Sequence, residues 1–169
     1  MLNIVLINPP QFTRYPQPPL GLALIASILE KAGYPVKLLD ASAMGLMPGD
    51  IAGMVEHADI AGITAMTPTI GAALNIARHL KKANPGLKII MGGPHATLLP
   101  EATLASCPEI DIIIRGEGDE AIIELLKVLE DKRPLDGIAG ISYRSDGKII
   151  NTADRDTTVD MDSLPYPAY

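Results

Sequence analysis

Four stretches of the 169-residue sequence gather the residue types that could do chemistry: "NPPQFTRYPQPPLG" at 8–21, "TAMTPT" at 64–69, "GGPHAT" at 92–97 and "GEGDE" at 116–120. Each comes directly after a short apolar run. Gly92 and Gly93, and the glycines Gly116 and Gly118 that flank Glu117, leave no side chain to bar a ligand from the backbone. Thr64, Thr67, Thr69 and Thr97 carry hydroxyls, and helices starting near 69 and 118 would aim free N–H groups at the same crevice. This equipment suits a long, polar, partly anionic ligand lying against the main chain. It lacks a nucleophile paired with a base, so a hydrolase or transferase reading finds no residues to carry it.

The titratable groups add little. His57 and His79 sit in polar helical surroundings and read as solvated, while His95 falls within the glycine-rich turn with no second metal ligand near it in sequence. Cys107 is the only cysteine, which fits a reducing cytosol and leaves no cysteine-bound cluster or zinc site in this chain. Glu117, Asp119 and Glu120 crowd a helix start, where they either complement the helix dipole or touch a ligand. Familiar nucleotide signatures fail. Five prolines (Pro9, Pro10, Pro16, Pro18 and Pro19) and no glycine precede Gly21, so there is no G-x-G-x-x-G after the first apolar run, and no P-loop. A Thr/Ser-rich phosphate loop there is absent too. A phospho-receiver domain would need acids where Asn8 and Thr64 stand. Asp40 resembles a ribose-binding acid but lacks that partner motif, so it reads as a helix or turn cap.

The elements that must position these loops alternate. Apolar strands are expected over 2–8, 35–40, 58–65, 87–92 and 110–116. Helices are expected over 20–32, with Leu22, Ile25, Ala26 and Leu29 on one face, then more weakly over 48–57, and over 69–83, 99–106 and 118–131. Continuous apolar strands between helices mean a parallel sheet covered on both faces. Right-handed crossovers make it a doubly wound, flavodoxin-like (Rossmann-like) α/β fold of order 2-1-3-4-5. Its ligand crevice lies beyond the carboxyl ends of the strands, between the first and third. All four chemical stretches then share one rim. After about 135 the pattern changes to a β-hairpin around Ser145-Asp146-Gly147, then an acidic, proline-rich tail. The expected organisation is a ligand-binding domain over 1–135, then a hairpin and linker over 136–169.

Bulk composition agrees. Apolar residues make up 47% of the chain, with no Trp and one Phe, so the core is aliphatic. The formal charge of −6 argues against a nucleic-acid footprint. No apolar run reaches the roughly 18 residues of a membrane span. The N-terminal "MLNIVLINPP" has no charged region ahead of its apolar run and reads as a strand rather than a signal peptide. A cytoplasmic location is expected.

Taken together, "INPP" at 7–10, "PLGLALIASILEKAGYPVKLLD" at 19–40, "GITAMTP" at 62–68, "GGPHAT" at 92–97, "RGEGDEAIIELL" at 115–126, "GISYRSDGKI" at 140–149 and "DMDSLPYPA" at 160–168 resemble the N-terminal cobalamin-binding domain of the radical S-adenosylmethionine (SAM) enzymes that also bind cobalamin. Asp119 departs from the Glu found in many relatives. The resemblance implies that cobalamin is the ligand, with its dimethylbenzimidazole tail in the slot between the first and third strands. It implies contacts from Asn8, Pro9, Pro10 and Gly21, from Thr64, Met66, Thr67 and Pro68, from Gly92, Gly93, Pro94, His95 and Thr97, and from Gly116, Glu117 and Gly118. Thr64 and Met66 fall where other cobalamin domains carry Ser-x-Leu. The Asp-x-His-x-x-Gly of many cobalamin domains, whose His binds cobalt, is missing, since 9–21 contain no His. A base-off cofactor without a protein imidazole is therefore implied.

SAM and a [4Fe-4S] cluster would belong to a radical SAM domain of the same polypeptide, following the "LPYPA" linker. The parent reaction would be methyl transfer, oxidative cyclisation or another radical reaction. The chain by itself would be a cofactor module rather than a catalyst. The competing reading is a stand-alone flavodoxin-like or regulatory domain for another nucleotide-like ligand. A Gly93→Val change is expected to obstruct the slot and spare the fold.

Overall fold

The computed structural model describes residues 1–11, 17–156 and 164–168. Pro16 and residues 157–163 of the acidic tail lie outside them. The described chain runs β1 (Ile4–Asn8), α1 (Leu20–Lys31), β2 (Val36–Asp40), α2 (Ala41–Met44), α3 (Pro48–Met54), β3 (Ile60–Thr64), a 3-10 turn (Thr67–Thr69), α4 (Ile70–Ala83), β4 (Lys88–Gly92), α5 (Pro94–Leu98), α6 (Pro100–Ser106), β5 (Ile112–Ile114), α7 (Asp119–Glu130), β6 (Ile141–Ser145) and β7 (Lys148–Asn151). The sheet order is β2-β1-β3-β4-β5-β6-β7. The first five strands are parallel, in the order read from the sequence.

Strand alternation divides the core in two. Ile4, Leu6, Ile60, Ile90, Ile112 and Ile114 pack against Ala26 and Leu29 of α1 and Ala121, Ile122 and Leu125 of α7. Val5, Ile7, Ala61, Ile63, Ile89 and Met91 pack on the opposite face against Ile51 of α3, Ala73 and Leu80 of α4 and Leu104 of α6. With both faces covered, the strands need apolar residues on both, which is why their sequences read as continuous runs.

Two short helices were not foreseen. Asp40 turns the end of β2 into α2, its Oδ1 accepting from the N–H groups of Ser42 (3.1 Å) and Ala43 (3.2 Å). This is the cap expected of it. At the other unforeseen helix, Pro94 occupies the first position of α5, where its fixed φ and missing N–H cost nothing. "GGPHAT" is therefore a strand end, one glycine at positive φ and a helical turn.

The hairpin is fastened to the sheet rather than appended to it. β6 pairs antiparallel with β5, and β7 with β6, around Asp146 and Gly147, both at positive φ as a two-residue turn requires. Arg144 of β6 donates to the carbonyls of Ile110, Leu104 and Cys107, closing the end of α6. Arg155 reaches Glu120 and Glu124 of α7.

Gly93 has φ +93° and ψ 173°, a region only glycine occupies without strain. A Cβ there would stand 2.8 Å from the Ala65 carbonyl oxygen and 2.8 Å from Thr64 Oγ1. This overturns the expectation that Gly93→Val would spare the fold. The chain's own backbone, not a ligand, requires that glycine. Gly93→Ala should lower stability by about 3 kcal/mol, from strain and overpacking together, read as a fall in the denaturation midpoint against wild type.

Cys107 is fully buried, and its thiol donates to Glu109 Oε2 at 3.1 Å. Burial, with Glu109 beside it, pushes the thiol up to about 11. A pKa raised by folding means that the contribution to stability is intact below the ordinary thiol value and is lost as pH rises through the folded one. Stability should therefore fall between about pH 9 and 11, and a Cys107→Ala protein titrated in parallel should lack that step.

Candidate functional site

The loops at the carboxyl ends of β1, β3, β4 and β5 form one rim, and hydrogen bonds between loops hold three of them together. The Ala65 N–H donates to the Gly92 carbonyl (2.9 Å), and the His95 N–H donates back to the Ala65 carbonyl (3.1 Å). His95 Nδ1 lies 3.2 Å from Thr67 Oγ1. Two residues further on, Thr97 Oγ1 accepts from the Gly116 N–H at 3.1 Å. His95 and Thr97 thus tie the β3 and β5 loops to the start of α5. Among the described residues no three His, Cys, Asp or Glu side chains gather as a metal site.

The turn after β3 is fixed from within. Thr69 Oγ1 accepts from the Met66 N–H at 3.0 Å, and the Thr69 N–H donates to the Met66 carbonyl at 2.9 Å. Buried Thr69 thereby props Met66 up at the rim, half in solvent. Thr67 and Pro68 beside it are exposed, as are Pro94, Gly116 and Glu117 on the neighbouring loops. Helices α4 and α7 start here without a side-chain cap among the described residues. Asp119 is buried at the start of α7 while Glu120 pairs with Arg155. Of the acidic trio, only Glu117 is open towards the rim.

Across the strand ends runs one rung of four residues. Asn8 pairs in register with Asp40, Thr64 with Gly92, and the preceding Ile7–Ile63 pair joins the two. Asn8 and Pro9 are buried and Pro10 is partly so; Gly21 is exposed in the first turn of α1. Gly92 differs from its neighbour: a Cβ on it would meet nothing nearer than the Ile114 carbonyl oxygen at 3.9 Å. Packing alone does not demand a glycine at this position. Gly118 lies where a Cβ would approach Ile25 of α1 to 3.4 Å, so α7 closes against α1 at that point. Gly62, two rungs deeper, was not singled out; its missing side chain makes room for Leu6 Cδ2, 2.8 Å from where a Cβ would be.

Two cavities lie away from these glycines. One, of about 400 Å³, is between α3 and α4 beside His57; the other, of about 460 Å³, is between α1 and β2 beside Asp40. The rim itself is an open platform: polar, backbone-rich, with one protruding thioether and no acid–base pair. Such a surface can receive a large flat ligand on its top and anionic or amide groups at its helix starts. The residues present fit a corrinoid, since Gly92 leaves backbone open beside the β1–β3 crevice.

No helix among the described residues is long and apolar enough to cross a membrane. The chain is 37% identical, over its whole length and 38% of the relative's, to an uncharacterized methyltransferase of Pyrococcus horikoshii. It is 32% identical, over 95% of its length and 34% of the relative's, to the anaerobic magnesium-protoporphyrin IX monomethyl ester cyclase of a Synechocystis species. It thus spans little more than a third of these curated relatives. Its fold superposes with a TM-score of 0.86 on the cobalamin-dependent S-adenosylmethionine radical enzyme OxsB, solved with aqua-cobalamin and S-adenosylmethionine bound, at 23% identity over 99% of this chain and 24% of that one. Residues 13–126 match the B12 binding domain family. That match decides against a domain for some other nucleotide-like ligand: with two thirds of its length inside the family's bounds, the chain belongs to the B12 binding domain family.

Proposed function

We propose that this chain holds cobalamin base-off, with the corrin over the carboxyl rim and the nucleotide tail in the crevice between β1 and β3, and presents it to a radical SAM domain of the same polypeptide. Gly92 is the observation that carries the placement, because its open side has no packing reason. Thr64 and Asn8 stand on the same rung or its continuation, Met66 and Thr67 stand above it, and the uncapped starts of α4 and α7 offer N–H groups to the tail phosphate. Bound cobalamin would supply a cobalt centre able to carry an alkyl group or accept an electron. The chain's own residues bind and orient it, and none is arranged to move a proton.

The absence of His from 9–21 supports a cobalt with no protein imidazole beneath it. His95, already engaged by Thr67, is read as lining the slot. The parent reaction is read as methyl transfer, oxidative cyclisation or a related radical reaction, with SAM and a [4Fe-4S] cluster in the other domain. Relatives named as methyltransferases and as a cyclase support that range. Residues 136–169 are read as the hairpin and the linker to that domain. A cytoplasmic setting, with no nucleic-acid partner, fits the lone buried cysteine and the acidic charge.

Protein mixed with hydroxocobalamin should keep its colour through desalting, and a colourless protein would contradict the reading. Gly92→Val should weaken binding about tenfold or more, on the scale of about 1.4 kcal/mol, while the melting temperature stays near that of wild type. Normal affinity in Gly92→Val would mean that the ligand does not pass this backbone. His95→Ala should leave the visible spectrum of the bound cofactor unchanged.

A further inference from the structure

The tail beyond the hairpin ends on helix α1. Pro165 and Pro167 fix their own φ, and each biases the residue before it towards extended backbone, so 165–168 are preset as an extended strip. The two prolines also leave Tyr166 and Ala168 as the only N–H donors there. Both hydrogen bonds that seat the strip use its main chain. Ser27 Oγ donates to the Tyr166 carbonyl at 2.6 Å, and the Ala168 N–H donates to the Ala23 carbonyl at 3.0 Å. Ala23 and Ser27 lie one turn apart on a buried face of α1, and Ala168 packs against the core there. The Tyr166 ring takes no part; the residue is 96% exposed.

Ala23 is a joint between this strip and the rim. Its N–H donates to the Pro19 carbonyl at 2.9 Å, at the end of the loop after β1, while its carbonyl receives the Ala168 N–H. The cavity between α1 and β2 has the same neighbours, with Ala168 in one wall and Gln17, Pro18 and Pro19 in another. The loops after β3, β4 and β5 are tied to one another by hydrogen bonds, but among the described residues no such bond reaches from them to the loop after β1. That loop is secured through the first turn of α1, and the strip holds this turn from outside.

We infer that residues 164–168 are a strap for the cofactor rim: seated on Ser27 and Ala23, they hold the first turn of α1 and with it the loop after β1, so that strap and cofactor favour each other's binding. Seating the strap costs little ordering entropy, because its prolines have already extended it. The coupling to the cofactor rests on the cobalamin reading; the seating itself does not.

Hydrogen exchange and hydroxocobalamin affinity, both measured on the full chain, test this. In ligand-free protein the Ala168 amide should exchange about tenfold more slowly than in a free peptide of the same sequence. Ser27→Ala removes the bond to Tyr166 and raises helix propensity, so α1 itself is not weakened; it should cut that protection about fivefold. Tyr166→Ala, which alters only the exposed ring, should leave the protection intact. Ser27→Ala combined with Ala168→Pro, which removes the remaining donor, should raise the Kd for hydroxocobalamin about threefold. Saturating hydroxocobalamin should in turn slow Ala168 exchange in wild type, because coupling between two sites is reciprocal. Exchange at the free-peptide rate in wild type would overturn the strap. A protected Ala168, with unchanged Kd in the double variant and no slowing by the ligand, would overturn its service to the rim while leaving cobalamin binding intact. A wild-type chain that bound no cobalamin would overturn the functional reading and the coupling with it, and Ala168 exchange would still decide the seating.

Discussion

The rim depends on one close approach of two backbones. Gly93 lies so near Ala65 that no other residue fits between them. Two hydrogen bonds, from Ala65 N–H to the Gly92 carbonyl and from His95 N–H to the Ala65 carbonyl, are possible only at that separation. Once the β3 and β4 loops are locked in this way, α5 must start where it does. Thr97 then catches the Gly116 N–H and brings in the β5 loop. A chain of backbone contacts, rather than a cluster of charged side chains, therefore sets the positions of Thr64, Met66, Thr67, Gly92 and Gly116 relative to one another. Such an arrangement is preorganised for a ligand that binds against main chain, and needs no titratable group to hold it.

The rest of the molecule serves to keep that rim rigid. Both faces of the parallel sheet are sealed by aliphatic packing, and the antiparallel hairpin covers the β5 edge, held by Arg144 on the carbonyls at the end of α6. Arg115, directly after β5, donates to the Thr152 carbonyl and Arg155 pairs with Glu124, so the segment beyond the hairpin is fastened to the end of β5 and to α7. Two of the polar groups buried near the strand ends, Asn8 and Thr69, act on loop geometry. Asn8 joins β1 to Asp40, and Thr69 fixes the Met66 turn.

Much of this was legible in the sequence, and for physical reasons. Strands buried on both faces must be apolar throughout, and helices on a sheet must show one apolar stripe. The pattern around Leu22, Ile25, Ala26 and Leu29, or Ala73, Ala77 and Leu80, therefore located the elements to within a few residues. The loops were legible because glycine and proline mark points of backbone constraint. Which constraint they answered was not legible. Gly92 and Gly93 are identical letters, yet the first would tolerate a Cβ at ordinary contact distance and the second would clash with Ala65, because only tertiary packing brings β3 and β4 together. The short helices α2 and α5 were missed because four or five residues carry no readable period. Asp40 was read correctly as a cap, but its second bond, to Asn8, spans 32 positions and leaves no local signal.

The central claim is that the rim holds cobalamin with no imidazole of the protein beneath the cobalt. Electron paramagnetic resonance of the chain loaded with the Co(II) form tests it most directly. The account predicts a base-off spectrum without superhyperfine splitting from an axial nitrogen, since 9–21 contain no His. Triplet splitting from such a nitrogen, lost in His95→Ala, would contradict the account and name His95 as the ligand.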